Sequence, residues 1–539
     1  TEQNQTDLNR YNTERARFAL DVELAPDGVT LQCADELARL QGCAPFNTFG
    51  EGAISDDAVQ YLRANQNLKT KVEQQVFNIG IAGNTGFELP GGPIGLAGGF
   101  EWREERGSEI NGGFAQTGIG SGNATAPTNG KWDVSEVYAE ASFPVLDRLT
   151  LDGAVRAADY STVGSQTTWK VGLDLEILET LRFRASATES VRAPNVSDLY
   201  AGAGETFANV QDPCDSITNA TTGVVAENCR SIPAIQDRIN TTGSFTLTQS
   251  ELQQTGGFVG GNPEVNEETA ESFTAGLIWT PTFLDNALSV AVDYYDIRID
   301  DAIAITSRNT VVERCYNVDP AEFDPTCGNG TIPGTPRVLR DSRDVIPGQG
   351  SLLSVDSVSS NENIFDTSGL DIEVAYVQEI GPGTLSASMV WNYLLKWDEI
   401  GIFDGDLDDN LGEVLTPEHR AILRTSYFLG DWTFFWRARY WDAVKDSNTP
   451  ELQNENSCVC ADGLAPSANE ISAYVYHDFS VGYGLDQWSI KLGLNNAFDK
   501  EPPMLPQITQ YGNTGTNTAV EAYDTIGAQW FLSFNYRTN

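Results

Sequence analysis

Eight cysteines have the spacing closest to defined chemistry, and they fall into four close pairs: Cys33/Cys43, Cys214/Cys229, Cys315/Cys327 and Cys458/Cys460. Local pairing of this kind points to disulfides formed in an oxidising compartment. The first three separations suit staples within single loops, each ring stabilising by roughly 3 kcal/mol in the chain-entropy model. Cys458 and Cys460 would close a very tight, strained ring. A metal site is the weaker reading, because no histidine lies near any pair and no CxxC occurs. Asp404, Asp406, Asp408 and Asp409 resemble an oxygen-rich Ca²⁺ loop. They lack the glycine and the later glutamate that an EF-hand requires, so a solvated acidic loop is the plainer reading. His419 and His477 are far apart in sequence, and no nucleophile elbow, phosphate loop or HExxH is present. The sequence points away from an enzyme.

The elements that position these residues read as strands. In 137–143 the apolar residues Val137, Ala139, Ala141 and Phe143 alternate with Tyr138, Glu140 and Ser142. Leu181, Phe183, Ala185 and Ala187 alternate with Arg182, Arg184, Ser186 and Thr188; Trp432, Phe434, Trp436, Ala438 and Tyr440 alternate with Arg437 and Arg439. A period of two puts the charges on one face of a strand, whereas a helix would spread them round its surface. The pattern predicts about 16 strands, over 11–24, 72–83, 94–103, 134–143, 149–157, 167–175, 181–188, 271–280, 288–299, 368–376, 385–396, 420–428, 432–441, 472–483, 488–495 and 527–536. The first rests on Ala16, Phe18, Leu20, Val22 and Leu24. Typical lengths match the ~9–11 residues that cross a bilayer at a tilt.

The connections alternate between short and long without exception in this reading. Short ones include 144–148, 176–180 and 484–487; long ones reach about eighty residues. Transmembrane barrels have this rhythm, with tight periplasmic turns and long external loops. All eight cysteines then fall in external loops. A soluble stack of β-sandwiches would explain alternation and disulfides but not this rhythm.

The bulk numbers agree. Among 539 residues, 33 Lys and Arg face 76 Asp and Glu, a net charge of −43. Such a polyanion repels nucleic acid. No apolar run approaches the ~20 residues of a membrane helix, which leaves a barrel open, since only alternate residues of its strands meet lipid. The first residues contain no signal peptide. An outer-membrane protein needs one, so the expectation is a processed chain or a sequence that begins partway along a longer protein.

Three stretches resemble TonB-dependent outer-membrane receptors. LRFRASATESVRAPNVSDLYAG carries an Arg-Ala-Pro turn and a Leu-aromatic pair at Arg192, Ala193, Pro194, Leu199 and Tyr200. GNPEVNEETAESFTAGLIWTP carries Asn262, Pro263 and Glu267 ahead of a strand. KLGLNNAFDKEPP carries Asn495, Asn496, Phe498, Asp499, Lys500 and Pro502. Proline cannot donate to a ladder, so Pro194 and Pro263 mark strand ends, and Asn495 and Asn496 can satisfy local backbone groups where a strand stops. The resemblance implies the later part of a plugged 22-stranded barrel, with the plug and first strands upstream. It implies a periplasmic TonB-type protein that pulls on the plug, and it makes a surface lipoprotein a further candidate partner besides outer-membrane lipid. The implied function is energised uptake of an oligosaccharide or an iron chelate; the alternative is a passive 16-stranded porin. Lumen-facing candidates are Glu136, Glu140, Asp152, Arg156, Lys170, Asp174, Arg182, Arg184, Arg437, Arg439 and Asp478, either pairing with each other and a plug or lining a ligand path.

Overall fold

Alternating segments do pair edge to edge, and the sheet they form has its apolar face turned outward. In the computed structural model, residues 1–120, 122–207, 210–284, 287–332, 334–401, 407–445, 470–503 and 518–537 are described. Sixteen long strands make the wall: β1 (Glu2–Tyr11), β2 (Arg63–Leu89), β3 (Gly92–Asn111), β4 (Thr128–Leu146), β5 (Leu149–Tyr160), β6 (Gly164–Leu178), β7 (Leu181–Arg192) and β8 (Glu268–Trp279) come first. They are followed by β9 (Leu288–Ile305), β10 (Ser357–Ile380), β11 (Gly383–Gly401), β12 (His419–Leu429), β13 (Trp432–Trp441), β14 (Tyr474–Leu485), β15 (Trp488–Asn495) and β16 (Gln529–Tyr536). Each pairs antiparallel with the next in chain order.

The outward face carries exposed Phe77, Ile79 and Ile81 on β2, Val137 on β4, Trp169 and Val171 on β6, Phe273 and Leu277 on β8, and Phe434 on β13. In water such a continuous apolar surface would associate; in a bilayer it is the lipid-facing band. No helix among the described residues is long and apolar enough to span a membrane.

Short and long connections alternate as expected with one exception. β5 and β6 are joined at the external end by residues 161–163 alone, a hairpin rather than a loop. Here the strands run on past the bilayer and use up the sequence that looked like a connection. A second correction concerns 11–24. Residues Thr13–Leu20 are a helix, and the first strand lies before it at Glu2–Tyr11. Asn12 caps that helix by accepting from the Arg15 N–H at 2.9 Å, an N-cap signal that outranks a short alternation. The strand itself, EQNQTDLNRY, is polar on both faces and so had no period to detect.

The largest buried apolar cluster is outside the wall. Loops 193–267 and 306–356 fold together around Cys214, Cys229, Ile235, Ile239, Phe245, Val312, Tyr316 and Val355. Helices Val224–Ser231, Pro233–Thr242 and Arg308–Tyr316 supply much of it. Loop 12–62 has a smaller core of Ala19, Tyr61 and Leu62. Disulfides join Cys33 to Cys43, Cys214 to Cys229 and Cys315 to Cys327. Staples and apolar packing therefore act together in these loops. Cys458 and Cys460 lie outside the described residues.

Candidate functional site: the lumen wall and its external cap

Strand register decides which side chains share the inner face. Glu140 on β4 lies opposite Ala154, which lies opposite Lys170; Asp152 lies opposite Gly172, and Asp174 opposite Arg184. These five charged residues line one inner cavity of about 690 Å³, floored by small residues such as Ala82, Ala97 and Gly172. Two of them, Asp174 and Arg184, pair with residues beside the cavity. The Arg182 Nε donates to Asp174 at 2.7 Å. Arg184 donates to Asp293 through Nε at 2.8 Å and Nη2 at 2.7 Å. That bidentate pair crosses an entire strand: Arg184 is opposite Gly276, and Gly276 is opposite Asp293. Two inter-strand steps are about 9.5 Å, and only a residue without a side chain leaves that span open. A Cβ at Gly276 would overlap the Asp293 carboxylate.

The other candidates sit elsewhere on the wall. Arg156 on β5 reaches the buried Glu136 of β4 at 2.9 Å. On the far side, Asp478 of β14 accepts from the Arg437 Nε at 2.6 Å, lies 3.3 Å from the Arg439 Nε, and accepts the Asn496 N–H at 2.8 Å. Arg437 and Arg439 are thus brought together with each other but not with the cavity residues.

The motif residues organise strand ends. Arg192 donates to Glu268 at 2.7 Å and lies 3.2 Å from Asp198. Its partner across the β7–β8 ladder is Glu268 rather than Glu267. Pro194 stands two residues past the end of β7, and Asn195 caps the short helix Val196–Tyr200 in a box with Asp198. Leu199 is buried, and Tyr200 packs where a Cβ at Gly130 would collide with its ring. Asn262 donates to the Ser359 carbonyl at 3.0 Å and accepts the Glu264 N–H at 2.9 Å, setting Pro263 in a turn before β8. Asn495 ends β15 opposite Gln529. The Asn496 amide accepts the Lys500 N–H at 2.8 Å and donates to the Lys500 carbonyl at 3.0 Å. Phe498 stays exposed, its ring 5.2 Å from that of His477. Asp404 and Asp406 lie outside the described residues; Asp408 stands opposite Glu399 on a short strand.

The external cap holds two buried ion pairs. Arg238 donates to Glu251 at 2.6 Å, and Glu251 also accepts the Thr248 and Gly348 N–H groups at 2.7 Å each. Burial pushes the Glu251 carboxyl up, but the Arg238 guanidinium and these donors outweigh it and hold it at about 2. Arg340 donates to Asp212 at 2.6 and 2.7 Å. Burial works against its charge, while Asp212 and then Tyr316 more than restore it, so its pKa is raised. Asp293, Glu268 and Gly276 escaped sequence reasoning as partners. Parity along β8 and β9 could have placed them on the inner face, but not opposite particular arginines.

An outward apolar band, an inward charged face and folded external loops define an outer-membrane β-barrel. The chain belongs to the family described as TonB dependent receptor-like, beta-barrel, whose model matches residues 1–497. Among solved structures it is similar to the siderophore receptor PirA from Acinetobacter baumannii, with 14% identity and a TM-score of 0.52 over 92% of this chain and 56% of that one. It is also similar to a variant of the ferric enterobactin receptor from Pseudomonas aeruginosa, with 15% identity and a TM-score of 0.52 over 88% of this chain and 54% of that one. The chain thus spans about half the length of these structures.

Proposed function

We propose that this chain is the later part of a receptor barrel that takes a ligand inward, driven by a TonB-type periplasmic protein acting on a plug encoded upstream. The family match over residues 1–497 carries this reading. The stapled cap of loops 193–267 and 306–356 supports it, because a packed, disulfide-braced surface is suited to capture before transport. A self-contained 16-stranded porin would pair its last strand with its first. Here the register partner of β16 is β15, and Trp530 and Leu532 on β16 are each 72% exposed. The ligand is of a class that open pores serve poorly, either an iron chelate, as bound by the similar receptors, or an oligosaccharide. Growth of a deletion strain decides between them. A defect confined to iron limitation assigns a chelate, a defect on one polymeric carbon source assigns a saccharide, and wild-type growth in both would refute uptake of either.

A further inference from the structure

The chain carries 33 Lys and Arg against 76 Asp and Glu, yet one stretch of the inner wall reverses that ratio. Arg437 lies opposite the inward-facing Asp478, so residues opposite these two, or two along from them, share the inner face. Arg439 is two along from Arg437. Arg424 lies opposite Arg437, and Arg420 opposite Trp441. Lys491 lies opposite Gly482, which lies opposite Thr433. The inner face of β12 to β15 thus holds five cations and one carboxylate, Asp478. They descend from the external mouth. The rows of Arg420, Arg424 and Lys491 meet β13 at Trp441, Arg437 and Thr433, about 13 Å apart at each step.

On β7 the inner arginines are matched, Arg182 by Asp174 and Arg184 by Asp293. On β12 to β15 the match is incomplete. Asp478 serves Arg437 and Arg439, and Asp524 lies 3.9 Å from Arg439. Arg424 and Lys491 make no ion pair among the described residues. Arg420 has the Trp441 ring, 4.6 Å from its guanidinium carbon, and Lys491 has the Phe435 and Phe531 rings at 5.4 and 5.8 Å. All three unpaired cations are exposed, and their register turns them to the lumen. Arg424 also faces Arg437 directly, and like charges in that relation destabilise a sheet. Folding gains nothing from this arrangement, whereas an incoming anion does. The arginine rows offer guanidinium forks that fit carboxylate, phosphate or sulfate oxygens. One sign of charge lining a cleft also draws such a ligand inward.

We propose that the inner face of β12 to β15 is the track along which the ligand crosses the barrel, and that the ligand is a polyanion bearing carboxylate, phosphate or sulfate groups. This rests on the uptake reading and narrows it: an anionic iron chelate and an acidic oligosaccharide share this chemistry, and a neutral ligand lacks it. A deletion strain is complemented with the intact receptor and given four probes, each as sole source of iron or carbon. They are ferric citrate, a neutral ferric trihydroxamate, an oligogalacturonate and a neutral maltooligosaccharide. Wild type should restore use of the anionic member of one pair, which also names the source, and of neither neutral probe. The triple variant Arg420→Gln, Arg424→Gln, Lys491→Gln should take up that probe, and bind it in detergent, at least about tenfold less well. Arg298→Gln with Lys396→Gln, on the outer face, should behave as wild type. Restored use of a neutral probe, or of no probe in a strain that the deletion does impair, would overturn the proposal. So would wild-type binding by the triple variant, because the cations would then serve a segment of the protein. A deletion without any growth defect would refute the uptake reading itself, and the proposal with it. If the triple variant does not fold, Arg424→Gln alone decides. It should fold at least as well as wild type, since it relieves the facing Arg437, while its binding of the anionic probe becomes weaker and less salt-dependent. An unchanged affinity and salt slope would again overturn the proposal.

Discussion

At Gly276 the absent side chain is what lets Arg184 and Asp293 meet across β8. Gly276→Ala should separate the two charges and leave both on the inner wall, costing about 2 kcal/mol. Urea titration, scored by the fraction migrating as folded barrel on unheated gels, measures this. In the background Asp293→Ala the same substitution should cost clearly less, because the clash has gone; a fully additive cycle would mean the two residues do not share a contact. Asp478 is the corresponding residue on β14, nearly fully buried while serving Arg437, Arg439 and the Asn496 N–H. Asp478→Ala should destabilise by about 3 kcal/mol, since removing one partner leaves the others uncompensated, and it should loosen the Asn496–Lys500 turn. Both residues stood on strands whose alternation was legible, but their partners were not. Parity assigns a face; it does not assign a register, and ion pairs depend on register.

At the scale of elements, alternation located the wall strands from β2 to β16 because lipid on one side and polar surroundings on the other impose a period of two. Where those two environments stop, the signal stops. β1 has only Leu8 and Tyr11 among polar residues, so no period marks it, and the alternation at 11–24 falls on the helix after it, whose Asn12 cap was the better clue. The cap helices went unseen for a related reason: residues such as Ile235, Ile239 and Phe245 gain their burial from a second loop far away in sequence. The three disulfides among the described residues were readable because each closes within one loop. The cap also makes a pH prediction. Glu251 has its pKa lowered from 4.5 to about 2 in the folded cap, so its contribution is fully present above 4.5 and is lost as pH falls towards 2. Amide exchange across residues 224–253 should therefore be steady from pH 7 to 5, after correction for intrinsic rates, and should rise below 4.5 while the wall strands stay protected. Protection of the cap that is unchanged down to pH 2 would show that the Arg238–Glu251 pair does not hold it.

For the whole molecule, the count of wall strands, the outward apolar band and the family were all readable from one sequence, because a membrane constrains every strand in the same way. Ligand identity was not, since loops contribute shape through long-range packing that no local pattern encodes. Transport through this barrel is proposed to be energised. Radiolabelled ligand of the class assigned by the deletion phenotype can be given to cells expressing the intact receptor, with binding and internalisation measured before and after a protonophore collapses the proton gradient. Surface binding should persist while internalisation falls to the level of the deletion strain. Internalisation that continues at the same rate without the gradient would contradict it and leave a passive pore.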